Sequence, residues 1–169
     1  MARFRHRPPA DVLSRLSLAH GDALLNAVQL VGGGWAVATT RGLHLVGHDE
    51  AAAPVATPWC DIDRASLDPA SRTLTVWWVS GAQRALVLPE DADAQAFART
   101  FRERVQQSVI HAVTVTLPGG AQARVALRRD PDGALFTQTL GDAGVDPTDP
   151  EVSAALRRAE ASVREAAGL

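Results

Sequence analysis

Residues 23–88 alternate between short apolar segments and turn sequences, and this alternation limits the possible folds more than any other feature of the chain. The first two turns are Gly32-Gly33-Gly34 and Arg41-Gly42. Two parallel strands need a crossover connection of about a dozen residues or more, which turns of this length cannot supply. The sequence therefore predicts consecutive antiparallel hairpins rather than a parallel sheet.

Six or seven short strands are expected in this region. The pattern predicts strands over 23–31, 35–39, 43–46, 59–62, 65–67, 73–79 and 83–88. The strongest is 73–79, where β-branched and aromatic residues are concentrated. Residues 47–58 contain two prolines and an acidic pair, which predicts a loop. The sequence Asp68-Pro69-Ala70-Ser71 is typical of a type I turn.

Two helices are expected beside these strands. A short one follows Pro8-Pro9 and is expected to end at Gly21; its apolar residues are Val12, Leu13 and Leu16. A longer one follows Pro89 and begins with acidic residues, as the helix dipole favours. Its apolar stripe contains Ala94, Phe97, Ala98, Phe101 and Val105. We expect this stripe to close the open end of the strand assembly.

The last third of the chain predicts a second group of strands and a final helix. Strands are expected over 110–117, 121–128 and 134–140, joined by turns rich in proline, glycine and aspartate. Asp149 is expected to precede the helix, with Pro150 at its first position, where the missing N–H costs nothing. Its apolar stripe contains Val152, Ala155, Leu156, Ala159 and Val163.

These patterns predict an α+β protein: an antiparallel barrel or strongly bent sheet capped by an amphipathic helix, followed by a three-stranded meander and a C-terminal helix. Residues 1–8 are basic and aperiodic, and we expect a disordered arm there. Residues 9–108 are expected to form the barrel domain with its short N-terminal helix. Residues 109–169 are expected to form a meander-plus-helix section packed on that domain.

This order of elements, with the stretch Pro58-Trp59-Cys60-Asp61-Ile62 before the later strands, resembles the bacterial pleckstrin-homology-like (PH-like) domains over residues 20–108. The whole chain looks like small uncharacterised PH-like proteins of high-GC bacteria. The resemblance implies a barrel scaffold that binds a protein or a lipid headgroup. The closing helix has Phe97 and Phe101 where classical members have tryptophan. The first hairpin loop has Gly32, Gly33 and Gly34 where lipid-binding members have basic residues, so the resemblance implies the scaffold rather than phosphoinositide binding.

Charge and composition narrow the function further. The formal net charge is −2, which argues against a nucleic-acid binder. Every basic residue other than histidine is arginine, as a GC-rich genome would produce, so arginine by itself does not indicate anion binding. Apolar runs are too short to span a membrane. Arg3, Arg5 and Arg7 are not followed by the apolar core of a signal peptide, so we expect a cytoplasmic protein.

The residues suited to catalysis or metal binding form no complete motif. Cys60 is the only cysteine, and the adjacent Asp61 disfavours its thiolate, so we expect a structural thiol. His44, His48, Asp49 and Glu50 make a weak metal-binding pattern. Asp142, Asp146 and Asp149 lack the spacing of a calcium loop. We therefore predict no catalytic residue, no metal site and no cofactor.

A partner surface is expected around the adjacent tryptophans Trp77 and Trp78. Successive strand side chains point to opposite faces, so the two cannot enter one core. The row Leu74, Val76 and Trp78 is assigned to the interior, which leaves Trp77 facing outward. Trp77 is then either covered by residues 109–169 or exposed as an anchor for a partner or a second copy.

Three further residues complete the candidate partner surface: Val79, Arg128 and Arg129. The two arginines, with Arg124 nearby, are expected to face water. The function expected from all of this is a non-enzymatic interaction module that binds another protein or itself. The alternatives are a peripheral lipid-headgroup binder and an enzyme without a recognisable signature. Membrane binding and nucleic-acid binding are not expected, and no small-molecule ligand can be identified.

Overall fold

The computed structural model describes residues 7–142 and 144–169. Within these ranges the protein is α+β, with three antiparallel sheets and three α-helices, and it contains no closed barrel. The chain divides into two compact units, Met1–Gln106 and Gln107–Leu169. Most of the arm expected over residues 1–8 lies outside the described residues; of its last two residues, Arg7 is exposed and Pro8 is buried.

The first unit contains a four-stranded antiparallel sheet formed by consecutive hairpins. Its strands are β1 (Leu24–Gln29), β2 (Trp35–Thr39), β3 (Gly42–Val46) and β4 (Val55–Pro58), in the spatial order β1-β2-β3-β4. The turn between β1 and β2 requires glycine at Gly34. Its φ is +80°, and a Cβ there would lie 2.6 Å from the carbonyl oxygen of Val46.

The prediction of a loop over residues 47–58 is wrong for the last four residues, which form β4. This strand lies at the edge of the sheet and pairs with β3 alone. An edge strand tolerates proline, because one side of its backbone needs no ladder partner. The prolines that predicted a loop therefore fit a strand in this position.

A second sheet of three strands follows in the same unit. Its strands are β5 (Ile62–Asp68), β6 (Thr73–Trp78) and β7 (Gln83–Val87), in that spatial order. The N–H of Val31, just after β1, donates to the carbonyl of Val87 at 2.9 Å and so ties the end of the first sheet to β7.

The strand predicted over residues 59–62 is wrong except at Ile62. Trp59–Asp61 form a short 3-10 helix between β4 and β5. The Trp59 side chain is buried, and its indole N–H donates to the carbonyl of Thr39 at 3.0 Å. This bond anchors the chain where it passes from one sheet to the next, which interrupts the strand.

Helix α2 (Ala92–Ser108) supplies the apolar stripe that the sequence predicted. Asp91 caps it, because its carboxylate accepts from the N–H of Ala94 at 2.8 Å. Phe97 and Phe101 are fully buried in a core that contains residues from both sheets. The Phe101 ring meets the Trp59 ring edge to face, with centroids 5.4 Å apart.

Helix α1 (Ala10–Arg15) is shorter than predicted. It ends well before Gly21, because Leu16 is already extended and donates its N–H to Leu13 in a tighter turn. Val12 and Leu16 are buried in a second core cluster, together with Ala27 of β1. This cluster shares no buried residue with the core around Phe97, so the first sheet is covered on both faces.

The second unit is a three-stranded meander with one helix. Its strands are β8 (Val109–Thr116), β9 (Gln122–Arg129) and β10 (Leu135–Gly141), with β9 in the centre. Helix α3 (Pro150–Glu165) begins after Asp149, whose carboxylate accepts from the N–H groups of Glu151 and Val152. Val125 and Leu127 of β9 pack with Ala159 and Val163 of α3. The packing of this section on the first domain stays a prediction.

Within the described ranges, no helix is long and apolar enough to cross a lipid bilayer.

Candidate functional site

Trp77 lies on the outer face of the second sheet, as its position in β6 predicts. Leu74 and Val76 are buried in the main core and Trp78 packs against it, which confirms the inward row. Trp77 is half-buried, and the guanidinium carbon of Arg64 lies 4.7 Å from the centroid of its ring. At this distance the cation is attracted to the face of the indole.

The neighbours of Trp77 follow from the strand register, because residues paired across an antiparallel ladder share a face. We call this surface the tryptophan face; it comprises Arg64, Ser66 and Asp68 on β5, Thr73, Thr75 and Trp77 on β6, and Gln83, Ala85 and Val87 on β7. Its charged members, Arg64 and Asp68, both lie on the edge strand β5. The central strand presents two hydroxyls and an indole.

Val79 lies two residues after Trp77 in the sequence, and Arg64 is paired with Trp77 across the sheet. Val79 follows β6, is half-buried, and donates its N–H to the carbonyl of Asp61 at 3.0 Å. Arg64 was missed by the sequence reasoning, because the register of β5 shifts between Ile62 and Arg64. That shift sets Arg64 opposite Trp77. The gap between the strands predicted over 59–62 and 65–67 was the signal that could have revealed this shift.

A groove lies in the same unit, where β1 ends and α2 begins. We call it the acidic groove; it encloses about 200 Å³ and is lined by Val28, Gln29, Leu30, Val31, Pro89, Asp91 and Asp93. Val31 is 56% exposed, and Val87, to which it is hydrogen-bonded, is 37% exposed. The groove therefore combines an apolar wall with two carboxylates.

The expectation that Arg128 faces water is wrong. Arg128 is fully buried, and its guanidinium donates to the hydroxyl of Ser108 at 3.4 Å. In β9 it lies on the same face as the buried Ala126, opposite to the face on which Val125 and Leu127 pack with α3. Arg129, the next residue, points the other way and is exposed, so the pair does not form a single surface patch.

Three polar side chains of the first unit form a buried cluster that resembles a catalytic arrangement in composition. The His44 Nε2 atom lies 3.9 Å from a carboxylate oxygen of Asp22 and 3.5 Å from the hydroxyl of Thr39. Burial lowers the pKa of His44, and the nearby Asp22 carboxylate offsets part of that effect. The ring is therefore held in its neutral form.

The geometry of this cluster does not fit nucleophilic catalysis. A triad needs the acid and the nucleophile on different ring nitrogens, whereas Asp22 and Thr39 both approach Nε2. The Thr39 hydroxyl also donates to the carbonyl of Gly42 and accepts from its N–H, both at 3.1 Å. These bonds close the turn between β2 and β3, so the cluster has a structural role.

The structure does not bring the four residues of the weak metal-binding pattern together. His44 is buried against Asp22, whereas His48, Asp49 and Glu50 are exposed in the loop after β3. The part of the chain that the structure describes holds no group of three or more histidine, cysteine, aspartate or glutamate side chains able to bind a metal ion. Cys60 is buried, with its sulfur 3.9 Å from a carboxylate oxygen of Asp61.

The three aspartates near α3 each bind the backbone or a neighbouring hydroxyl. Asp142 accepts from the N–H of Gln122 at 2.9 Å. Asp146 accepts from the hydroxyl and the N–H of Thr148, and these bonds lower its pKa. Asp149 caps α3. Each carboxylate thus stabilises a different turn or helix end.

A comparison of the chain with models of protein families and with curated proteins found no match to either.

Proposed function

We propose that this chain is a non-enzymatic interaction module that binds another protein through the tryptophan face of a PH-like scaffold. The observation that carries the proposal is Trp77 with the guanidinium of Arg64 over its ring. Tryptophan and arginine are the side chains most enriched among the residues that dominate binding energy in protein interfaces. Stacked together on a sheet, they offer a rigid anchor of large area.

The composition of the face supports a protein partner. The centres of protein interfaces are depleted in charge and enriched in aromatic residues. Thr73, Thr75 and Trp77 on the central strand are uncharged, and Asp68 lies at the other end of β5 from the Arg64–Trp77 pair. The partner surface that fits presents an apolar side chain to Trp77 and a carboxylate to Arg64.

The order of elements supports the PH-like scaffold. Four antiparallel strands, three further antiparallel strands and a helix with a buried apolar stripe follow one another in the first unit. The scaffold is less suited to binding a lipid headgroup than to binding a protein, because the turn after β1 is Gly32-Gly33-Gly34 and carries no cation.

The test compares Trp77→Ala with the control Gln106→Ala, which changes an exposed residue of α2 outside the tryptophan face. Trp77→Ala should reduce partner binding by about thirtyfold or more, as the loss of a 2 kcal/mol anchor implies. It should leave the melting temperature within about 2 °C of the parent. Quantitative affinity capture from the native lysate, followed by titration of the captured partner, measures the binding.

Gln106→Ala should retain the partner. Capture of the same proteins by Trp77→Ala and the parent would rule out the tryptophan face. A fall of the melting temperature by 8 °C or more in Trp77→Ala would instead assign Trp77 to the folded core. Self-association is read separately by sedimentation velocity of the purified parent and both variants.

A further inference from the structure

Strand β5 is an exposed edge of the second sheet. Among the strands that the structure describes, it pairs with β6 alone. An edge strand presents backbone N–H and C=O groups along its open side, and these groups can pair with a strand of another chain. The five consecutive residues Arg64–Asp68 are all exposed, so both faces of the strand are open as well as its edge. We call these five residues the open edge.

The open edge is limited at both ends. Ile62 is fully buried, and the register with β6 shifts between Ile62 and Arg64, so regular pairing with an added strand can begin only after this shift. Pro69 follows Asp68 and has no N–H to donate to a further ladder. An added strand is therefore confined to Arg64–Asp68.

The charges of the open edge are placed symmetrically about its central residue, Ser66. Arg64 lies two residues before it and Asp68 two residues after it. In an antiparallel pair centred on Ser66, the arginine of each chain lies directly opposite the aspartate of the other. Ala65 then lies opposite Leu67, which is 45% exposed. The open edge is therefore complementary in charge to a second copy of itself.

The neighbouring alignments lack this match. A pairing centred on Ala65 sets Arg64 opposite Ser66, and a pairing centred on Leu67 sets Asp68 opposite Ser66. A pairing centred on Arg64 sets two arginines opposite each other, which is destabilising. The charges thus favour the register centred on Ser66.

Both charged side chains can reach a second chain. The Arg64 side chain is 64% exposed and lies 3.5 Å from a carboxylate oxygen of Asp63, and its guanidinium has five N–H donors. The Asp68 carboxylate accepts from the hydroxyl of Ser71 at 2.6 Å and from a backbone N–H of the same turn, and these bonds lower its pKa. Asp68 therefore stays ionised, and a carboxylate with about four acceptor sites can accept from an arginine as well.

We propose that two copies of this chain pair through their β5 strands, antiparallel about a two-fold axis at Ser66, with Arg64 of each copy bound to Asp68 of the other. The second sheets of the two copies then continue into each other, and both tryptophan faces lie on the same side, because residues paired across an antiparallel ladder share a face. The proposal goes beyond the proposed function, since it uses the edge of the sheet rather than the face around Trp77. Standard interfaces bury about 800 Å² per partner, and five edge residues offer less, so the dimer should be weak.

Sedimentation velocity of the full chain should show a monomer–dimer equilibrium between roughly 5 and 500 µM, within the range of micromolar to millimolar dissociation constants. Arg64→Glu and Asp68→Arg each place like charges opposite each other at both ends of the open edge. Each should weaken dimerisation about tenfold or more. The control Arg84→Glu reverses an exposed arginine on the other edge strand, β7, and should dimerise as the parent does.

An equimolar mixture of Arg64→Glu and Asp68→Arg should restore the dimer, because every pair across the edge then joins opposite charges again. Asp68→Arg also removes the bonds to the turn, so its melting temperature is measured first.

A cross-linking test does not depend on the charge variants. Ser66 lies opposite itself in the proposed register, with Cβ atoms about 4.5–5.5 Å apart, close to the separation that a disulfide needs. Ser66→Cys should therefore form a covalent dimer under mild oxidation. Ala85→Cys, an exposed position in line with Ser66 on the other edge of the sheet, is the matched control and should cross-link about tenfold more slowly. Cys60, the only native cysteine, is buried.

Four results would overturn the proposal: a full chain that stays monomeric throughout the concentration series, equal weakening by Arg64→Glu and Arg84→Glu, a mixture of folded charge variants that associates no better than either one, or equal cross-linking of Ser66→Cys and Ala85→Cys. None of them changes the expectation that Trp77→Ala loses its captured partner, because that expectation rests on the indole and not on the edge of β5.

Discussion

The two units bury their cores with different side chains. In the first unit, Phe97 and Phe101 of α2 enter a core that contains residues of two sheets, beside the buried ring of Trp59. In the second unit, α3 covers a single sheet, and the buried cluster of Val125, Leu127, Ala159 and Val163 is entirely aliphatic. All four tryptophans lie before residue 107, so tryptophan fluorescence reports on the first unit alone.

This difference between the two cores predicts how the stability of each unit is distributed over its residues. One aromatic side chain buries an area that several alanines and valines must share, so its removal leaves a larger cavity. We therefore expect the first unit to depend strongly on a few residues of α2. The second unit should distribute its stability over more and smaller contacts.

The largest expected effect is that of Phe101→Ala. This side chain is 1% exposed and contacts Trp59 edge to face, so its removal should cost about 3–5 kcal/mol of unfolding free energy. That is comparable with the whole stability of many domains. Urea denaturation followed by tryptophan fluorescence measures it, and the exposed Arg99→Ala on the same helix is the control. A variant that melts within 2 °C of the parent would mean that α2 does not hold the first unit together.

Val163→Ala makes the corresponding change in the second unit. Val163 is fully buried, and the loss of about two CH2 equivalents plus a small cavity should cost about 2 kcal/mol. Amide hydrogen exchange along β9 measures the effect, with the exposed Ser162→Ala as the control. A loss as large as that of Phe101→Ala would contradict the contrast between the two cores.

The strands and helix ends that depend on local chemistry were predictable from the sequence. The alternating β-branched run at 73–79 forms β6 over Thr73–Trp78, and Asp149 caps α3 as expected. Local signals sufficed there because a strand's faces and a helix's first turn are specified by neighbouring residues. The inward row of β6 followed from the same reasoning.

The features that depend on distant partners were not predictable in this way. The strand β4 exists because β3 lies beside it, and whether Arg128 is buried depends on what covers its face of the sheet. The acidic groove joins Val28 and Val31 to Pro89 and Asp91, which are far apart in sequence. Where the sequence predicted an antiparallel barrel or a strongly bent sheet, the first unit has two antiparallel sheets and no closed barrel in its described residues, and the chain passes from one sheet to the other through the 3-10 helix Trp59–Asp61.

The smallest effect, a dependence on pH, should distinguish the first unit from the second. His44 is buried beside Asp22, and burial lowers its pKa, whereas His111 of the second unit is exposed. When the first unit unfolds, the pKa of His44 returns to its ordinary value of about 6.5. Between that value and the lower pKa of the folded state, the unfolded chain binds more protons, so the free energy of unfolding falls as the pH falls.

The contribution of His44 is therefore complete above about pH 6.5 and is lost below it, with a slope of at most about 1.4 kcal/mol per pH unit. His44→Gln should remove this slope from the tryptophan-detected unfolding curve between pH 5 and 7.5. His20→Gln, which changes an exposed histidine of the same unit, should retain it. Because Asp22 attracts the protonated ring, Asp22→Asn should lower the pKa of His44 further and extend the pH-dependent range to lower pH. Parallel curves for the parent and His44→Gln would mean that the buried cluster does not couple protonation to the folding of the first unit.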